Sequence, residues 1–222
     1  MMLTIKQIHA DIMDVTQKII SAGLSNKENY PSINKANGGV EEIGISGVND
    51  ISIAMKKMPY EDLYGVLEGN KFYNFLLADG GMVQMLYRFE NGELVKHKLG
   101  YYPSPNFESF QNESDLYMDD CIYIEILDKR VVPVAIRFDY DNSSKSYKEL
   151  EHPKSHLTLG QYENCRIPVC SPITPSLFLE FILRSFYNTA LLRFSEEMNF
   201  KFLRFNETAT DLEKDRIHIR VK

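Results

Sequence analysis

Asn91-Gly92 stands between two runs of alternating residues, and this pair restricts the fold more than any other feature of the chain. Both central residues of a type I′ turn need positive φ, which Asn and Gly reach most cheaply, so the dipeptide joins two antiparallel strands. Met82 to Phe89 runs into the turn and Leu94 to Tyr101 runs out of it. Upstream, Phe72 to Leu77 has the same period of two and connects to Met82 through Asp79-Gly80-Gly81. Three such strands in succession form a meander.

The pattern continues downstream. Cys121 to Leu127 puts Ile122, Ile124 and Ile126 on one face, and Asp128-Lys129-Arg130 turns it into a strand from Val131 to Tyr140. His156 to Gly160 follows, then Cys165 to Val169, which is too short and too Pro-limited for a central strand. Two helices are predicted to cover this sheet. Thr4 and Gln7 have capping-box spacing, and Ile5, Ile8, Ile12, Val15, Ile19 and Ile20 make an amphipathic helix to about Ala22. The second helix has Thr174 as N-cap, Pro175 at its first position, and apolar residues on nearly every face to about Phe194. Glu180, Arg184 and Arg193 interrupt it, so it is a core helix and not a membrane span.

Between these parts, residues 23–50 are rich in Gly, Asn and Ser and read as a long loop, with a short strand at Glu41 to Ile45. Ile51 to Met58 reads as a strand or helical turn, and Pro59 opens a short helix ending near Gly69. Pro103 to Asp120 reads as a polar loop and Asn199 to Asp211 as a connector. Arg216 to Lys222 alternates strictly and reads as a basic terminal edge strand. The fold class is α+β: a mainly antiparallel sheet of about six to eight strands, with the N-terminal amphipathic helix and the long apolar C-terminal helix over one face. The expected organisation is one domain over 1–222: a helical and loop region (1–70), the sheet (71–170), then a helix and terminal strand (171–222).

The net charge of −6 argues against a protein that coats nucleic acid non-specifically, though it leaves room for a local basic pocket. Three cysteines do not make a disulfide framework, and the N-terminus lacks a signal peptide, so a reducing cytoplasm is expected. No phosphate loop or dinucleotide fingerprint is present, and no pattern names a cofactor.

Candidate chemistry concentrates in 134–187. On the RFDYD strand, Arg137, Asp139 and Asp141 share one face and Ile136, Phe138 and Tyr140 the other. If the His156 strand is its neighbour with apolar sides aligned, His156 joins the charged face. His156 is then the candidate acid/base, Asp139 and Asp141 orient it or hold a divalent ion, and Arg137, Arg166 and His152 bind an anionic group. The competing reading is a structural network of the same residues. His152, His156, Cys165 and Cys170 number the four ligands zinc needs, but their spacing matches no common finger or ribbon, and no metal is assigned. Cys165 beside Arg166 is a weaker candidate nucleophile, with His152 or His156 as its base.

HPKSHLTLG (His152 to Gly160), CRIP (Cys165 to Pro168), PITP (Pro172 to Pro175) and FILRSFY (Phe181 to Tyr187) together resemble a bacterial family known only as domain of unknown function 2290. The resemblance covers most of the chain and implies a bacterial or prophage origin but no activity. A second likeness is to small toxins of bacterial toxin–antitoxin pairs, in which an R-x-D strand precedes a His/Pro-rich segment. Arg137 to Asp139, His152-Pro153 and His156 follow that order, while the N-terminal region and the 141–151 loop depart from it. These readings lead to RNA or a nucleotide as the expected ligand, in a toxin-like or phage-defence setting. The alternative is a non-catalytic interaction module that binds a protein partner or a second copy through the first helix or the 23–50 loop.

Overall fold

The computed structural model of the chain describes residues 3–44, 58–105, 134–162 and 164–221. The elements expected at 51–57, most of the 103–120 loop, the Cys121–Leu127 strand and the chain from there to 133 lie outside the described residues.

Helix α1 (Ile5–Ser21) begins where the capping box places it. Thr4 Oγ1 accepts from Gln7 N at 3.3 Å and the Gln7 side chain accepts from Thr4 N at 2.9 Å. This reciprocal pair satisfies donors that the first turn leaves open. Its stripe of Ile8, Ile12, Val15 and Ile19 is fully buried.

Nine strands form one sheet among the described residues: β1 (Ser25–Glu28), β2 (Ser32–Ala36), β3 (Val40–Gly44), β4 (Phe75–Leu77), β5 (Met82–Glu90), β6 (Glu93–Tyr102), β7 (Ile136–Asp141), β8 (Ser155–Leu159) and β9 (Ile167–Pro168). Every ladder is antiparallel. The spatial order is β1-β4-β5-β6-β7-β8-β9, and β3 lies beyond β4 on the same side of β5, with β2 outside it. The β5–β6 turn is the two-residue turn expected from Asn91-Gly92, with φ of 52° and 85°.

The expected loop at 23–50 holds three of these strands. β1 and β2 are edge strands whose residues, Ser-Asn-Lys-Glu and Ser-Ile-Asn-Lys-Ala, are mostly exposed, so no buried alternation marks them. The β2–β3 hairpin closes through Gly38 and Gly39, both at positive φ (80° and 75°). A Cβ on Gly39 would lie 2.5 Å from Asn91 Oδ1, where the two hairpin tips meet.

The odd-numbered residues of β5 and β6 (Val83, Met85, Tyr87, Phe89, Leu99, Tyr101) face α1 and α3 (Pro175–Phe186) in the main core. On the opposite face α2 (Tyr60–Gly69) covers one end, burying Leu63 and Leu67 against Met82, Tyr102 and Ala135. The remainder of that face, from Lys96 to Gly100 and across to His156, holds the charged residues.

The long C-terminal helix is corrected: it breaks at Tyr187 (φ −138°, ψ 43°) and continues as the short α4 (Asn188–Arg193). Tyr187 leaves helical geometry because its hydroxyl lies in the core, donating to Asp79 Oδ2 at 2.8 Å and contacting Tyr101 OH at 2.8 Å. Thr174 occupies the N-cap of α3 but does not cap it, since its hydroxyl donates to Leu203 O. Asp11 of α1 does so across the interface, accepting from Ser176 N at 3.1 Å and from its hydroxyl at 2.5 Å.

The basic terminal strand is also corrected. After α5 (Asp211–Lys214), only Ile219 pairs among the described residues, through a single parallel bridge to Val169, and Ile217 is 91% exposed. β9 is two residues long and contains Pro168, which has no N–H, so its outer edge offers the terminal segment little to pair with.

Candidate functional site

The site follows from the register of β6, β7 and β8. Asp139 lies opposite Lys98 on one side and His156 on the other; Arg137 lies between Gly100 and Thr158, and Asp141 opposite Lys96. Ile136, Phe138 and Leu157 point into the core on the other face. The condition set from sequence is therefore met, and His156 shares a face with the three charged residues of RFDYD.

Three of the expected residues meet around one carboxylate oxygen. Asp139 Oδ2 is 3.9 Å from an Arg137 guanidinium nitrogen and 3.9 Å from His156 Nε2. His156 is 5% exposed, and its Nδ1 is 2.9 Å from Pro153 O. A carbonyl only accepts, so Nδ1 carries the proton and Nε2 of the neutral ring presents a lone pair toward Asp139. Burial holds the imidazole below its usual pKa; Asp139 opposes that, and the His152 ring and Arg166 charge reinforce it. Two acceptors 3.9 Å apart are set to share a donor from a third group.

His152 belongs to the same cluster, its ring centroid 5.1 Å from that of His156. The tight loop before it is closed by Lys148 N to His152 O (3.1 Å) and His152 N to Lys148 O (2.7 Å). Arg166 precedes Ile167, the partner of Leu157, and so falls beside Thr158. Asp141 stands apart from His156. One of its oxygens accepts from Ser143 N at 2.8 Å, closing the turn after β7, and the other is 3.5 Å from Lys96 Nζ.

The two cysteines of the metal and nucleophile readings sit in different surroundings. Cys165 Sγ accepts from Leu159 N at 3.5 Å, while Cys170 is buried at 3% exposure, its thiol held above the usual value by that burial. Among the described residues no group of three or more His, Cys, Asp or Glu is placed to hold a metal.

Sequence reasoning missed Lys98, which alternation along β6 puts on the charged face. It also missed a polar row on the core face made by Tyr87, His97, Tyr140 and Ser155. This row docks the segment leading into α3. Tyr87 OH donates to Ile173 O (2.9 Å), His97 Nε2 accepts from Ile173 N (3.0 Å), and Ser155 OH donates to Ser171 O (3.0 Å). Burial pushes the His97 pKa down to about 3, so this imidazole is neutral scaffold.

Fold and site together define an α+β protein whose antiparallel sheet buries one face under helices and presents a charged cluster on the other. The chain belongs to the family described as "Uncharacterized conserved protein (DUF2290)", whose model matches residues 24–221. No curated protein and no solved structure matches the chain. The toxin likeness thus rests on Arg137, Asp139 and the His152–His156 segment alone. Among the described residues no helix is long and apolar enough to cross a membrane.

Proposed function

We propose that the charged face of β6, β7 and β8 binds a phosphate-bearing ligand, RNA or a nucleotide, and acts on it in a toxin-like or defence setting. Arg137 and Arg166 take the phosphate, His152 lines the ligand, and His156 is the acid/base oriented by Asp139. Asp141 sets the turn that ends β7. The observation that supports this best is the single tautomer of His156, whose bond to Pro153 O leaves Nε2 as an acceptor beside Asp139 and close to two guanidinium groups. Hydrolytic phosphoryl chemistry uses such a neutral base next to fixed cations.

The second reading, an interaction module in which the cluster is structural, draws on the depth of His156, only 5% exposed. Melting curves of wild type, Arg137→Ala and His156→Ala, with and without short RNA and a nucleotide, separate the two. A ligand-dependent rise in Tm that both variants lose while remaining folded supports the binding site. Variants destabilised by about 3 kcal/mol, with wild type indifferent to ligand, support the structural network.

A further inference from the structure

The cations of the charged face are not gathered at a point. Lys98 on β6, Arg137 on β7 and Arg166 just before β9 are spread across the sheet with β8 between the last two, in or next to the rows that contain Asp139 and His156. Neighbouring strands are about 4.8 Å apart, so β6 to β9 is roughly 14 Å, wider than one phosphate group. Of the carboxylates beside these cations, Asp139 is 3.9 Å from an Arg137 guanidinium nitrogen and Asp141 is 3.5 Å from Lys96 Nζ. On the described part of this face Lys96, Lys98, Arg137 and Arg166 stand with Asp139 and Asp141, and Arg88, opposite Lys96, pairs with Glu42 and Glu90.

The connection that brings Arg166 to this face also carries Tyr162, at 73% the most exposed aromatic ring among the described residues. Cys165 N donates to Tyr162 O at 3.3 Å, and this turn places the ring one tight bend before Arg166. One side of the ring rests over Gly160, where an added Cβ would sit 3.7 Å from its Cδ2. Gly160 is two residues from Thr158, the partner of Arg137, about 6.6 Å along the strand. A line of cations ending at an exposed aromatic ring is the combination that holds a single-stranded nucleic acid, backbone on the charges and a base on the ring.

Resting on the phosphate-ligand reading above, we propose that the ligand is a single-stranded RNA segment, not a mononucleotide: its backbone crosses the strands along Lys98, Arg137 and Arg166, and one base stacks on Tyr162. Lys98 and Tyr162 are the new residues in this assignment.

The test measures binding of a short single-stranded RNA, adenosine monophosphate and ribose phosphate to wild type, Lys98→Gln, Lys98→Arg, Tyr162→Ala and Tyr162→Phe over a series of salt concentrations. Wild type binds the RNA at least about tenfold more tightly than the mononucleotide, and Lys98→Gln lowers the slope of log affinity against log salt by about 0.7 for RNA, while Lys98→Arg keeps it. Tyr162→Ala weakens RNA binding about tenfold, leaves ribose phosphate unchanged, and is rescued by Phe. Equal affinity for RNA and mononucleotide, with a salt slope indifferent to Lys98, overturns the strip and leaves the phosphate reading standing. No binding of any of the three probes overturns both.

Discussion

Replacing Asp11 by Ala tests whether the two helices over the core depend on one side chain. Asp11 is 2% exposed on α1, and its oxygens receive the Ser176 N–H at 3.1 Å and the Ser176 hydroxyl at 2.5 Å. Ser176 is the second residue of α3, so the carboxylate also sits at the positive end of that helix. Leaving the buried Ser176 N–H, whose acceptor is the cap, and the Ser176 hydroxyl without an acceptor costs about 1.5 kcal/mol each, giving about 3 kcal/mol in all. For a chain of this size that lowers Tm by roughly 6–12 °C. Asp11→Asn retains an acceptor for the N–H and is predicted to lose less than half as much. The sign of the pH dependence separates the two further. Burial raises the folded-state carboxyl above 3.8, so the native state keeps this proton to higher pH than the unfolded chain. Wild-type stability from this group therefore falls as pH rises from 3.8 through the folded value, and Asp11→Asn lacks that fall. Urea unfolding at several pH values gives both numbers. An Asp11→Ala variant within about 0.5 kcal/mol of wild type would refute the cap.

His97 makes the opposite pH prediction. Its folded pKa is near 3 against an unfolded 6.5, so the unfolded chain takes up the proton first and stability falls as pH drops through that window, by up to about 1.4 kcal/mol per pH unit. His97→Gln should flatten the profile between those values in urea titrations; an unchanged profile would contradict a neutral His97. Leu150, 38% exposed at φ 65°, should gain about 0.5–1 kcal/mol on replacement by Gly, read as a rise in unfolding midpoint. Gly81→Ala would put a Cβ 2.5 Å from Tyr187 OH and 3.0 Å from Asp79 Oδ1, and should lower stability by about 2 kcal/mol or more in the same assay.

The parts of this fold legible in the sequence are those where local chemistry and burial agree. Thr4 and Gln7 mark the start of α1, Asn91-Gly92 marks the central turn, and the alternation of Ile136 to Asp141 places His156 beside Asp139. Where the reading missed, a tertiary partner decides. β1 and β2 have polar sequences and become strands because β4 and β3 offer open edges. Nothing local to FILRSFY reveals that Tyr187 must reach Asp79, 108 residues away, and so end the helix. The alternation of Arg216 to Lys222 lacks a partner long enough to make it a strand. The same reasoning divides the site. Arg137, Asp139 and His156 converge through register, whereas Asp141 is taken by the turn it closes, and Lys98 emerges only when β6 is seen next to β7.

The central claim, that the His156 face is a phosphate-binding site, is tested most directly by NMR of the imidazole nitrogens of His156 during titration with short single-stranded RNA. The account predicts the Nδ1–H tautomer at neutral pH in the free protein, and a saturable shift of Nε2 on RNA addition that Arg137→Ala abolishes. An Nε2 resonance unmoved by RNA, in a protein whose His156 keeps that tautomer, would contradict it and leave the cluster as scaffold.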